Sequence, residues 1–234
     1  GDNLLSSVNV QKDLGVWISD DMKVSHQCSQ ACKSANRVLG MMNRTISYKS
    51  PSIMLALYKS LVRPHLEYST VVWSPFYKKD KIALEKVQHR FTRMIPGFKS
   101  HCYNDRLKKL KLWTLEERRN RADLIEVYKM SNGLSSLKLD SFVEVNRNYR
   151  TRGHRLKFKK RRCRLDLRHH FFSERVINRR NSLDDDLIDS LTLNAFKSGL
   201  ERLRQRRIDF LRTEQSSSLQ AAPGIILIRP YQVN

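Results

Sequence analysis

The sequence predicts a mainly α chain with a β-hairpin at its start and a smaller, basic helical subdomain at its end. Three observations carry that expectation. Apolar residues recur at helical spacing, first in Val24, Cys28, Ala31, Cys32, Ala35, Val38, Leu39 and Met42. Period-two alternation is confined to Leu14, Val16 and Ile18 near the start, where Asp20-Asp21 supplies turn residues. The chain has 234 residues and is 40% hydrophobic, which suffices for a real core and excludes a wholly disordered basic tail.

The elements follow in order. Lys12 to Ser19 reads as a strand with Leu14, Val16 and Ile18 on one face. A helix runs from Val24 to about Ile46. Pro51 opens a second near its preferred first-turn position, and Pro64 is expected to end it at about Val62. Leu66 to Trp73 is too short to assign by periodicity. Asp80 is placed to cap a third helix, Lys81 to Ile95, which Pro96-Gly97 stops. Thr114 with Glu117 forms a capping box for a fourth helix to about Met130, with Leu115, Ala122, Ile125 and Tyr128 inward. Ser190 or Thr192 caps a last helix to about Arg212, with Leu193, Phe196, Leu200 and Leu203 inward. The expected division is an N-terminal hairpin (1–23), a helical domain (24–133), a linker (134–150), a basic subdomain (151–213) and a disordered tail (214–234).

Charge narrows the function classes. Lys plus Arg is 45 and Asp plus Glu is 23, a net +22, which points to a polyanionic partner and first of all to nucleic acid. The excess is concentrated: residues 151–180 hold 12 basic and 2 acidic residues. Apolar and aromatic residues interleave with the charges there, so an ordered surface is the expectation rather than a solvated linker. The phosphate-contacting candidates are Arg152, Arg155, Lys157, Lys159, Lys160, Arg161, Arg162 and Arg164, with Phe158 as a stacking residue. No stretch of about 18 apolar residues suggests a membrane span. Four cysteines are too few for a disulfide framework, which suggests an intracellular, nuclear or cytoplasmic setting. The first residue is Gly1 rather than Met, as in a fragment or a processed product.

Catalytic and metal motifs are weak. Asp20-Asp21 has no apolar return strand around it, so turn chemistry outweighs a metal-binding pair. Cys28 and Cys32 share a helix face without a second ligand pair, as core thiols do. His169-His170 suits a phosphate-side role better than a metal site, because adjacent side chains diverge. The chain is expected to hold no cofactor and no catalytic residues of its own.

Several strings, taken in order, resemble one family. They are Lys12-Asp13-Leu14-Gly15-Val16, the segment Leu57-Tyr58-Lys59-Ser60-Leu61-Val62-Arg63-Pro64-His65-Leu66-Glu67-Tyr68, Val72-Trp73-Ser74-Pro75, Leu84-Glu85-Lys86-Val87-Gln88, and Asp123-Leu124-Ile125-Glu126-Val127-Tyr128-Lys129. Thr151-Arg152-Gly153-His154, Phe171-Phe172-Ser173-Glu174-Arg175-Val176 and Asn194-Ala195-Phe196-Lys197 continue the series. Together, from Gly1 to about Arg207, they resemble the region after the polymerase core of non-LTR (LINE-type, jockey-like) retrotransposon reverse transcriptases. The resemblance implies a palm–thumb hairpin with primer-grip-like Leu14, Gly15 and Val16, then a helical thumb that holds an RNA or RNA–DNA template–primer, then a post-thumb region. The family's aromatic-Ala-Asp-Asp motif is not in this sequence, so polymerase catalysis and its Mg²⁺ would belong to the palm and fingers of a parent RNA-directed DNA polymerase. One departure stands out: Arg180-Asn181-Ser182-Leu183-Asp184 occupies the place of the family's Trp-Asn-x-Leu-Pro, which loses a buried Trp and a turn Pro. Two other readings compete. One is a stand-alone, domesticated RNA- or DNA-binding module. The other is a helical protein-interaction module with an acidic partner.

Overall fold

The computed structural model describes residues 7–146, 154, 156–207 and 210–211. It is mainly helical, with one two-stranded antiparallel hairpin at the N-terminal end. Strands β1 (Val10–Asp13) and β2 (Val16–Ser19) pair Val10 with Ser19 and Asp13 with Val16. The turn between them is Leu14-Gly15, both at positive φ (42° and 86°), the two-residue geometry that matches strand twist. Leu14 is therefore a turn residue, not the first inward residue of a strand, and it is 86% exposed. Val16 is buried, whereas Ile18 is exposed.

Helix α1 (Ser25–Thr45) buries the predicted stripe, with Cys28, Ala31, Ala35, Leu39 and Met42 in the core. The next helix departs from expectation. Helix α2 (Pro51–Leu57) does not stop before Pro64 but continues through one wide turn, Tyr58–Val62, into α3 (Arg63–Glu67). Pro64 lacks an N–H and its ring crowds the carbonyl four residues back. Widening the turn, so that the Arg63 N–H donates to the Tyr58 carbonyl, makes room for that ring. A second consequence follows for packing. Met54, Tyr58, Val62 and Leu66 are all fully buried at a strict spacing of four. On a regular helix such a stripe drifts by about 40° per step; the wide turn takes up that drift and keeps the stripe on the core.

Ser69, at φ 53°, breaks the chain before α4 (Thr70–Trp73). Trp73 is buried and its indole N–H donates to the Tyr68 carbonyl at 2.7 Å. Helix α5 (Lys78–Met94) begins earlier than expected. Asp80 does not cap it but lies buried in its first turn and accepts from Ser25 Oγ at 2.6 Å. Helix α6 (Tyr103–Lys109) leads into α7 (Leu115–Ser131), whose Thr114–Glu117 capping box forms as predicted. The remaining helices are the short α8 (Asp166–His169), α9 (Phe172–Arg175), α10 (Ile177–Asn181) and α11 (Asp185–Ile188), then α12 (Leu193–Arg206), capped by Thr192.

Two cores result. The first gathers α1 to α6 around Tyr58, Phe91, Trp73 and Leu39. The second gathers Leu124, Val127, Tyr128, Phe158, Val176, Phe196 and Leu200. Helix α7 meets both: Leu115 joins the first core, and its later apolar residues the second. Its inward residues differ in part from the expected ones, since Leu124 and Val127 are buried while Ala122 and Ile125 are only half-buried. The cause is that α7 faces two partners, so no single stripe describes it. Val143, from the segment expected as a linker, is also in the second core. The expected disordered tail, 214–234, lies outside the described residues.

His89 on α5 supplies a pH-dependent contribution. Burial, with Arg106 and Arg93 nearby, pushes its imidazole down to about 4, and an Arg106 Nη2 lies 3.2 Å from its ring nitrogen. The unfolded chain takes up this proton near pH 6.5 and the folded chain near pH 4. Stability should thus fall by about 1–2 kcal/mol as pH drops through that window and be unaffected above it. Urea unfolding at pH 7 and pH 4.5 tests this, with His89→Gln expected to lose that part of the pH dependence.

Candidate nucleic-acid interface

The hairpin tip is the first predicted site. Tyr68, just after α3, donates its hydroxyl to the Leu14 carbonyl at 3.0 Å. A Cβ on Gly15 would lie 3.2 Å from the Tyr68 ring, at a φ that side chains rarely adopt. Glycine is therefore favoured at this position. Behind the tip, the Trp17 N–H donates to Gln27 Oε1 on α1 at 3.0 Å, which ties the hairpin to the helical core. Leu14, Gly15 and Val16 thus present an exposed turn and one buried anchor, Val16.

The basic segment is the second. Arg152 and Arg155 lie outside the described residues. Lys159, Lys160, Arg161, Arg162 and Arg164 are exposed, and Lys157 is half-buried. The segment is held along its backbone. Phe158 bridges to Val145, the Lys159 N–H donates to the Glu144 carbonyl at 2.8 Å, and the Asn146 N–H donates to the Lys157 carbonyl at 2.6 Å. On its other edge, Asn181 accepts from the Phe158 N–H at 2.7 Å and donates to its carbonyl at 2.8 Å, as a neighbouring strand would. Glu144 pairs with Arg161 at 3.2 Å and Lys159 at 3.3 Å, and these partners hold its carboxyl below the usual range.

Phe158 is a correction. Its ring is buried in the second core and cannot stack on a base. One face takes the Arg180 guanidinium at 5.3 Å, and Arg180 in turn lies 3.2 Å from His154 Nε2. Burial pushes Arg180 down to about 10. The Arg180-Asn181 pair therefore has packing of its own: Arg180 covers Phe158, and Asn181 clips the segment's backbone.

A second basic surface is not marked by any run of charge in the sequence. Helices α1 and α5 lie side by side, joined by Ser25–Asp80 at one end and by Arg90 Nη1 to Asn36 Oδ1 at 3.2 Å further along. Lys33, Arg37 and Arg44 on α1 are exposed, as are Lys86, Arg90 and Arg93 on α5. No acidic residue occurs in α1. The two in α5 face inward: Asp80 meets Ser25, and Glu85 accepts from the Leu115 N–H at 2.9 Å and from the Tyr103 hydroxyl. Burial raises the Glu85 carboxyl. The exposed charge of this two-helix face is thus entirely positive. The signal was available, since the basic residues fall at helical spacing opposite the apolar stripe, but counting net charge along the chain hides it.

The remaining chemical candidates are structural. Asp20 and Asp21 make the turn after β2: Asp20 Oδ1 accepts from the Asp21 N–H at 2.7 Å, and Asp21 pairs with Lys23 at 2.9 Å. Burial pushes the Cys28 and Cys32 thiols up to about 12 and about 11, so neither ionises near neutrality. His170, half-buried, stacks on Phe76 at 4.2 Å. Among the described residues, no group of His, Cys, Asp or Glu is arranged to hold a metal ion, and no helix is long and apolar enough to cross a membrane.

No protein-family model, curated protein or solved structure matches the chain.

Replacing Asn181 with Ala would leave the Phe158 N–H and carbonyl without their partners. The expected cost is about 2–3 kcal/mol in chemical denaturation, with faster protease cleavage between 156 and 164. Unchanged cleavage would mean that the clip does not hold the segment.

Proposed function

We propose that this chain is the nucleic-acid-binding thumb and C-terminal part of a retrotransposon RNA-directed DNA polymerase. In this reading it holds an RNA or RNA–DNA template–primer by its phosphates. The catalytic carboxylates and their Mg²⁺ sit on the palm of the parent polymerase, and this chain carries no catalytic residue. The observation that carries the reading is the all-positive exposed face of α1 and α5, which adds a second basic surface to the segment 159–164. The ordered series of strings from Lys12 to Lys197 supports it. So does the exposed apolar surface at the hairpin, where Leu14 and Tyr68 are 86% and 59% exposed; a surface of this kind suits contact with the rest of a larger polymerase.

The roles divide by chemistry. Lys and Arg contact phosphates and set affinity without reading bases. The hairpin tip, held by Tyr68 and Gln27, presents a rigid turn to a duplex end.

The test is the salt dependence of binding to an RNA–DNA duplex, measured by fluorescence anisotropy. One variant carries Ser at Lys159, Lys160, Arg161, Arg162 and Arg164; another carries Ser at Lys33, Arg37, Arg44, Lys86, Arg90 and Arg93. Each should weaken binding and lower the slope of log K against log salt by about two to four. A slope unchanged in both variants overturns the reading. Tight binding to an acidic protein with none to the duplex would favour a protein-interaction module instead.

A further inference from the structure

A cleft of about 280 Å³ lies where the two cores meet, away from the segment 159–164. Five cations line it: Lys59 and Arg63 from the wide turn and α3, Lys111 from the turn after α6, and Arg118 and Arg121 from α7. The carboxylates against them are Glu201, which also lines the cleft, and Glu67, which receives Arg118 and lies 3.5 Å from Arg63. Five cations against two carboxylates leave three positive charges uncompensated. Lys59 and Lys111 are exposed and form no ion pair among the described residues. Arg121 lies over Trp113, 5.3 Å from the ring centre, with Arg204 4.6 Å from the same ring. Its Nη2 reaches the Lys197 carbonyl at 3.4 Å, but its buried Nε has no partner.

Such crowding opposes folding unless something offsets it. Arg63 and Arg121 are both held below the ordinary arginine range, by burial first and by Arg118 next. Lys111 is kept at φ 50°, a backbone conformation that costs a non-glycine residue energy. Surplus positive charge at one cleft, with two exposed lysines outside any ion pair among the described residues, points to one kind of ligand.

We propose that the cleft is a phosphate pocket, which takes a multiply charged phosphate oxyanion between Lys59, Lys111 and Arg121. The volume lies just under the roughly 300–1,000 Å³ of pockets for drug-sized ligands, the scale of a short phosphate chain without its base. Planar guanidinium groups suit such oxygens by paired hydrogen bonds. The pocket does not depend on the duplex-binding reading, since its residues are distinct from both basic surfaces named there.

The probe is inorganic tripolyphosphate, titrated calorimetrically into the full chain at 0.15 M salt. Lys59→Gln with Lys111→Gln changes exposed side chains only and should weaken binding by about tenfold or more. Arg121→Gln should do the same, with its unfolding midpoint recorded as a check on the fold. Glu201→Gln should tighten binding, whereas Lys159→Gln with Lys160→Gln should leave it within about twofold. Binding weakened equally by both lysine pairs, or no saturable binding, overturns the proposal. The source of the phosphate is read from RNA oligomers bearing a 5′-triphosphate or a 5′-hydroxyl. If the cleft variants weaken only the triphosphate-ended oligomer, the pocket takes a nucleic-acid end. If neither oligomer responds while tripolyphosphate binding is lost, it takes a free polyphosphate.

Discussion

The rest of the structure depends on the neutralisation of charge along α7. This helix is the hinge of the packing, with α3, α4 and α5 on one side and α12 on the other. Its first two turns, Leu115-Glu116-Glu117-Arg118-Arg119-Asn120-Arg121, are mostly charged. Placing it between two cores rests on the opposite charges that Glu116, Glu117, Arg118 and Asp123 meet, while Arg119 and Arg121 keep buried nitrogens with no hydrogen-bond partner among the described residues. Glu117, almost wholly buried, closes the capping box and accepts from Arg204. Asp123 accepts from Arg175 Nε and Nη2, each at 2.8 Å. Arg118 grips Glu67, and Glu116 pairs with Lys81 at 3.0 Å. Removing one partner of such a pair strands a buried charge, which costs far more than the pair itself contributes.

Arg175 shows how far this constraint reaches. Besides Asp123, it donates to the Val71 carbonyl at 2.6 Å and to the His170 carbonyl at 3.2 Å. One side chain from α9 therefore ties the second core to α4 and α7. Gln88 does similar work in the first core. It accepts from the Tyr58 hydroxyl at 2.8 Å and donates to the Trp113 carbonyl at 3.0 Å. Many polar residues, among them Tyr58, Glu67, Glu85, Gln88 and Arg175, are spent on these networks. Their chemistry here is that of folding, since buried polar groups must be paired. The surfaces that suit a polyanion are made by other, exposed side chains.

Legibility followed the range of the physics. The capping box at Thr114–Glu117, the stripe of α1 and the Thr192 cap are local signals, and they form as read. Pro64 was misread because proline's cost falls on one turn, and a wide turn absorbs it while the buried stripe of Met54, Tyr58, Val62 and Leu66 holds the helix together. Phe158 was misread because its neighbours are Lys and Arg in sequence but Arg180 and the second core in space. The concentration of charge in 151–180 was visible, yet two of its arginines, Arg175 and Arg180, prove to be internal partners rather than free charge.

The sequence by itself determined that this chain is mainly helical, opens with a hairpin and carries far more positive charge than its own carboxylates can answer. Those properties depend on periodicity, turn chemistry and composition, which act over a few residues or over none. Only the tertiary structure decided which cations are spent and which are left over. Whether an arginine meets a carboxylate 51 residues away, as Arg118 meets Glu67, depends on how two helices pack. The same packing turns the two acids of α5 inward, which leaves the outer faces of α1 and α5 purely basic, and crowds five cations around one cleft with only Glu67 and Glu201 to answer them.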